Sequence, residues 1–352
     1  MVDFKRGAWL DRIDPGAHRR VKGLRLATAF GLAAMLATMP GVAEGRGPLL
    51  GVFAAGFALW ASVSEAQATR YESARDLLIL CLVAGIGAAL FVVVRPVLGP
   101  VWDELTLVTG AFCVGYLRRY GVLGAGVGSQ IFIGQLLAFT SGAALQDLGT
   151  IALATSFAGL ASIVPRLLSG PAEKPALSPR TYIPVDDDIA FTESIMGLQA
   201  ALASLVIVIL GQAMELTESA WAIAACTYVV TGSLAGTIDR IRRRVAGTLV
   251  GVPLGLACLL VTAHAPLLVW VAAALALVVY AMALPEHYEI ACGAYAFALV
   301  GTMGVSGEYP IAVLAARGWE TILGGVIGIV VVLTFARLPF VRKRQRLEGS
   351  RL

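Results

Sequence analysis

The chain has 352 residues, of which 58% are hydrophobic and only 14% charged, with a formal net charge of +4 and a mean hydropathy of +0.81. A soluble domain carries roughly 25% charged residues, so this composition excludes a pair of soluble domains. It leaves an all-α, polytopic integral membrane protein whose apolar helices and short turns consume the chain.

Residues 1–23 form a basic leader with Lys5, Arg6, Arg12, Arg19, Arg20 and Lys22, and Arg25 stands at the start of the first apolar span. That span lacks a small-residue cleavage site and many more follow, so the leader reads as retained. Over residues 4–20 bulky apolar and basic positions alternate, which suits the cytoplasmic lipid surface or plain solvation. Apolar spans are predicted at 24–42, 48–64, 77–94, 101–117, 122–140 and 148–166, and then at 194–213, 220–237, 245–262, 266–284, 288–305 and 311–336. These give about twelve transmembrane helices in two six-span repeats, 24–168 and 191–338, followed by a basic cytoplasmic tail at 339–352. Between the repeats, residues 169–190 hold prolines and an acidic run that can neither span a bilayer nor build a core, so they read as a cytoplasmic linker.

Charge sets the expected sidedness. With the amino terminus inside, Arg46 and Arg95 fall in outside loops and Arg317 in the last span, which leaves the other 24 of the 27 lysines and arginines inside. So strong a bias predicts a multi-pass membrane protein with both termini cytoplasmic. The net positive charge therefore marks the lipid bilayer as partner, and no nucleic acid. The five cysteines, Cys81, Cys113, Cys226, Cys258 and Cys292, lie inside apolar spans without paired spacing, so neither a metal site nor a disulfide framework is expected.

The halves resemble each other. GLRLATA at Gly23 answers GLQAALA at Gly197, an offset of 174, and Glu44 and Ser62 answer Glu215 and Ser233 at an offset of 171. With six spans each, two duplicated halves would lie parallel about an axis along the membrane normal.

Two apolar spans joined by an arginine-rich stretch, TIDRIRRR, occupy residues 221–260, and this stretch reads as a cytoplasmic turn. The run RRRVAGTLVGVPLG, with Arg244, Gly247, Thr248 and Gly251 behind a tryptophan at the mouth of the preceding span, resembles the fusaric acid resistance protein family. The opening HRRVKGLRLATAFGLAAM is similar to that family's first span. The first repeat departs from the pattern, because ATRYESARDLLILCLVAG has Arg75 but no following glycine and threonine. The large cytosolic domain common in that family is replaced here by the linker. The resemblance implies an inner-membrane exporter of small, often aromatic, carboxylic acids, with a small organic anion as substrate.

An anion crossing hydrocarbon needs fixed positive charge, and its ring needs an apolar wall. Arg317 and Glu320, three apart on one helical face within the last span, are the leading substrate-site candidates, as an anion contact with its partner or proton carrier; a structural ion pair is the plainer reading. Arg244 is the next, at an inner vestibule, and Arg25 follows, though its repeat partner is the uncharged Gln199. The glycine-rich span GVLGAGVGSQIFIGQLLAF is read as a packing helix or as a broken helix that presents Ser129, Gln130 and Gln135 to a polar path. Gly85, Gly87, Gly247, Gly251, Gly255, Gly324, Gly325 and Gly328 read as close-packing stripes.

His18, His264 and His287 are too scattered for paired acid and base work, so no enzyme activity, catalytic residue or cofactor is expected. The absence of a nucleotide motif leaves the proton gradient as the expected driving force. Three alternatives stay open: an anion channel, a major-facilitator-type transporter and a non-transporting membrane assembly protein. A homodimer or an accessory export protein is compatible with each.

Overall fold

The structure, a computed structural model, describes residues 18–43, 49–65, 69–99, 102–169, 187–214, 219–262, 264–284, 286–306 and 311–338. The leader up to residue 17, most of the linker and the tail from 339 lie outside them. Among the described residues every regular element is helical.

Twelve α-helices follow in order: α1 His18–Ala43, α2 Leu49–Ser64, α3 Arg70–Leu98, α4 Leu105–Tyr116, α5 Gly121–Thr140 and α6 Leu148–Leu168, then α7 Asp187–Met214, α8 Ser219–Val229, α9 Leu234–Thr262, α10 Pro266–Ala283, α11 Tyr288–Ser306 and α12 Ile311–Ala336. Eleven of the predicted spans fall on one helix each, whereas 220–237 runs from α8 across residues 230–233 into α9. Seven stretches are long and apolar enough to cross a membrane: Arg19–Thr38, Arg70–Leu98, Leu105–Thr140, Leu145–Leu168, Phe191–Met214, Leu234–Val261 and Gly318–Ala336. α4 and α5 form one of these stretches together, joined by a 3-10 turn at Leu117–Tyr120. α8, with 11 residues, rises only about 16 Å.

One expectation is corrected. TIDRIRRR is not a turn: it lies inside α9, which starts at Leu234, and the real turn is Val230–Ser233, where Gly232 adopts φ +79°. Arginine is a good helix former, and Asp239 pairs with Arg243 at 2.9 Å across one helical turn, so the charges stabilise helix where charge alone suggested a loop. α5 is unbroken, in line with its reading as a packing helix. Its glycines let it pack backbone to backbone: a β-carbon on Gly134 would fall 2.8 Å from Ala88 N of α3, and one on Gly128 would fall 2.8 Å from Cys113 C of α4.

Local chemistry explains the helix ends. The Thr69 hydroxyl accepts from Glu72 N–H at 3.3 Å and donates to the Glu72 carboxylate at 2.6 Å, satisfying backbone donors at the start of α3. At the other end of α3, Arg95 donates to Gly142 O and Ala143 O (3.0 and 2.9 Å) and pairs with Asp103 at 3.3 Å. Near the start of α1, Arg19 bonds Glu286 on the α10–α11 turn, and this hydrogen bond holds the Glu286 carboxyl below its usual range.

Helix pairings within residues 18–168 recur within residues 187–336. α1 packs on α2 and α6 as α7 packs on α8 and α12; α3 packs on α5 and α6 as α9 packs on α11 and α12; and α4 meets α5 as α10 meets α11. The contacts between the halves are exchanged in the same way, α4 with α7 and α10 with α1. Both of these seams are made by the glycine pair that the sequence comparison aligned. A β-carbon on Gly23 would lie 2.9 Å from Val278 O of α10, and one on Gly197 would lie 2.9 Å from Phe112 O of α4. Outward, Leu78, Leu82, Ile86, Leu90, Val93 and Val97 form one exposed apolar face of α3, a surface suited to hydrocarbon.

Gly197→Leu drives a side chain into the α4 backbone and is expected to cost about 1–3 kcal/mol. Gly31→Ala, in α1 with nothing within 4 Å, is expected to be neutral or stabilising by up to about 1 kcal/mol. Thermal unfolding of the detergent-purified protein checks both.

Candidate functional site

The site grows from two stripes on α9. Gly247, Gly251 and Gly255 recur every four residues and press one side of the helix onto α11, where a β-carbon on Gly247 would lie 2.8 Å from Gly293 N and one on Gly255 would lie 2.8 Å from Val300 Cβ. Arg240, Arg244, Thr248 and Val252 recur with the same period on the neighbouring side. All four line a cavity of about 970 Å³.

This cavity lies between the halves of the chain. Leu49, Val52 and Trp60 of α2, Val114 of α4 and residues of α5 form one wall; α8 to α12 form the other. Its lining residues on α5 run from Ala125 to Thr140, a rise of about 22 Å against a hydrocarbon thickness of roughly 30 Å.

One end is basic. Arg244 Nη1 donates to the Tyr288 hydroxyl at 3.4 Å, while its Nε has no hydrogen-bond partner among the described residues. Arg240 donates to Tyr228 O at 3.5 Å and lies 5.5 Å from the centre of the Tyr288 ring. Arg118 adds a third guanidinium, 3.5 Å from Glu193. The neighbouring arginines serve elsewhere: Arg242 is exposed, and Arg243 pairs with Asp239 and Glu289 and donates to Glu286 O at 3.3 Å.

Next along the cavity stands a collar of aromatic rings. Trp60 of α2 lies nearly parallel to Tyr228 of α8 (interplanar 3°, centroids 6.5 Å) and meets Tyr280 of α10 and Tyr295 of α11 edge-on at 6.3 and 5.3 Å. The Tyr228 hydroxyl is hydrogen-bonded to the Ser129 hydroxyl of α5 at 2.9 Å. Toward the opposite end the lining becomes apolar, with Leu49, Val52, Trp270, Leu299 and Met303, relieved by the hydroxyls of Thr140, Ser141 and Thr302.

The predicted site residues divide between cavity and packing. Arg244 lines the cavity. Glu320 is fully buried in α12, beside cavity-lining Thr321, and Arg317 stands three positions earlier on the same helix, its side chain outside the described residues. Gln130 and Gln135 are fully buried in helix contacts away from the cavity lining, where they donate to Ser64 of α2 at 3.5 Å and to Thr109 of α4 at 3.2 Å. Arg25 is half-buried in α1 and is likewise no part of the lining. Sequence reasoning missed Arg118, Arg240, Trp60, Tyr228, Tyr280 and Tyr295. The spacing of Trp221, Ala224 and Tyr228 along α8 is the one local signal, since it turns Tyr228 to the same side as a tryptophan. Among the described residues no group of three histidine, cysteine or carboxylate side chains could hold a metal ion.

Cys292 lines the cavity, whereas Cys81 and Cys226 are fully buried in helix packing. With Cys113 and Cys258 replaced by serine, a polar maleimide is expected to modify Cys292 in the native protein and to spare Cys81 and Cys226 until denaturation. Peptide mass spectrometry reads this, and equal labelling of Cys226 and Cys292 would contradict the arrangement.

Residues 205–331 match the family model described as fusaric acid resistance protein-like. The resemblance expected from RRRVAGTLVGVPLG is thus borne out over the second half, which carries Tyr228, Arg240, Arg244, Tyr280 and Tyr295. No curated protein and no solved structure matches the chain.

Proposed function

From this family match over residues 205–331, we propose that the protein is a multi-pass membrane transporter of the efflux type, which moves small organic acid anions, aromatic carboxylates above all, through the cavity between its halves. The observation that carries the reading is the Arg244 guanidinium, with an uncommitted Nε, lining a cavity of about 970 Å³ that also holds the collar of four aromatic rings. A carboxylate leaving water needs charge-assisted hydrogen bonds, which Arg244 and Arg240 supply. Its ring needs a wall that binds π-faces, which the tyrosines and Trp60 supply.

The twelve helices serve as twelve spans in two parallel six-span repeats. The recurring helix pairings and the matched seams at Gly23 and Gly197 support this reading. The basic end faces the cytoplasm of an inner membrane, with both termini on that side, in keeping with the distribution of lysine and arginine. Arg317 and Glu320 act in α12 as an anion contact and its proton-carrying partner, next to Thr321 on the cavity wall. Gln130, Gln135 and Arg25 support the walls without touching substrate.

The test is flux of a radiolabelled single-ring carboxylate into proteoliposomes. Arg244→Gln is expected to cut flux at least tenfold, the loss of about 1.4 kcal/mol or more of anion stabilisation, while Arg242→Gln, outside the cavity, leaves it near wild type. Equal flux in the two variants sinks the site. A protonophore that abolishes uphill flux supports proton coupling, whereas flux that only follows an imposed substrate gradient and ignores the protonophore identifies a channel.

A further inference from the structure

Trp60 comes from the half of the chain that the family match does not reach, yet it is the hub of the aromatic collar. It is the one collar residue contributed by α2, and it faces three tyrosines carried by three helices of the other half. Tyr280 and Tyr295 meet it edge-on, but Tyr228 lies in a plane only 3° from its own. Parallel faces that line a cavity form a slot for a third flat ring.

The spacing is close to what such a slot requires. A ring in van der Waals contact on both faces needs its neighbours roughly 7–8 Å apart, twice the optimal carbon separation. The Trp60 and Tyr228 centroids are 6.5 Å apart, so their planes stand at most that far from each other. An outward swing of the Trp60 side chain that parts the two planes to roughly 7–8 Å then admits one planar ring. A saturated ring is thicker and has no π-face, so it needs a wider opening and gains no stacking. Tyr228 is the fixed side of the slot, because Ser129 holds its hydroxyl at 2.9 Å and Arg240 donates to its carbonyl. Trp60 is the side that yields: it is half-buried, packs against apolar side chains, and among the described residues its ring contacts are with the tyrosines across the cavity.

We propose that Trp60 is the specificity-determining residue of the transport path, clamping the flat ring of an aromatic acid against Tyr228 while the arginines of the basic end hold its carboxylate. The inference rests on the exporter reading above and adds to it the selection of planar over saturated rings.

Benzoate and cyclohexanecarboxylate carry the same charge and nearly the same bulk and differ in planarity, so their competition isolates the clamp. The experiment measures flux of labelled benzoate into proteoliposomes of the full chain, with unlabelled cyclohexanecarboxylate as competitor and the converse. Wild type is expected to prefer benzoate by about fivefold to tenfold, the worth of one added aromatic pair. Trp60→Leu brings the ratio close to one and Trp60→Phe retains most of it. Because the readout is a ratio within one preparation, it is insensitive to how much of each variant folds, and retained cyclohexanecarboxylate flux shows that Trp60→Leu is assembled. An unchanged ratio in Trp60→Leu, with wild type carrying both acids, overturns the role of Trp60 and leaves the exporter reading standing. Wild type that carries neither acid overturns both.

Discussion

Two seams where backbone meets backbone hold the halves of this molecule together, and everything else is arranged about them. At one, Gly23 of α1 lies against Val278 of α10; at the other, Gly197 of α7 lies against Phe112, Gly115 and Tyr116 of α4. In a bilayer, lipid tails are as apolar as leucine, so burial alone drives helices together weakly and close approach through small residues becomes the main source of cohesion. The seams draw the halves close without filling the space between them. Within the second half the same device sets rotation: with Gly247, Gly251 and Gly255 pressed onto α11, the helical period turns Arg240, Arg244, Thr248 and Val252 toward the cavity.

The helices were legible because each long apolar run between turn signals could become nothing else, and the helix starting at Pro266 or the turn closed by Gly142 follows ordinary capping and turn chemistry. The reading went astray at residues 230–244, where four arginines outweighed Thr231, Gly232 and Ser233 as a turn signal. A cluster of charge says only that water or an anion is near. It does not say that the backbone has left the helix.

The cavity was half legible. Arg244 stood out through its neighbours in RRRVAGTLVG, but Trp60, Tyr228, Tyr280 and Tyr295 come from four helices, and no spacing along the chain announces that they meet. Aromatic side chains at helical intervals look the same whether they face lipid, core or a cavity. Gln130 and Gln135 show the opposite ambiguity, because polar side chains within an apolar helix can pair with another helix as readily as with a ligand, and here they donate to Ser64 and Thr109. The halves also differ where a duplication predicts a match. Counting from the helix starts, the places of Arg240 and Arg244 in α9 are held in α3 by Asp76, which pairs with Arg75 at 2.9 Å, and by buried Leu80. The positive end of the cavity is therefore built chiefly by one half.

Lys22 and Arg240 share a role that their charge alone conceals. Lys22 donates to Val63 O and Glu65 O at the end of α2, and Arg240 to Tyr228 O at the end of α8. The carboxyl end of a helix carries roughly half a negative charge in its unpaired carbonyls, and α8 ends beside the basic mouth of the cavity. An anion approaching there would first meet a repelling dipole. By donating to one of those carbonyls, Arg240 offsets part of the negative charge at this helix terminus, so less of the field of Arg244 is cancelled at that end of the cavity.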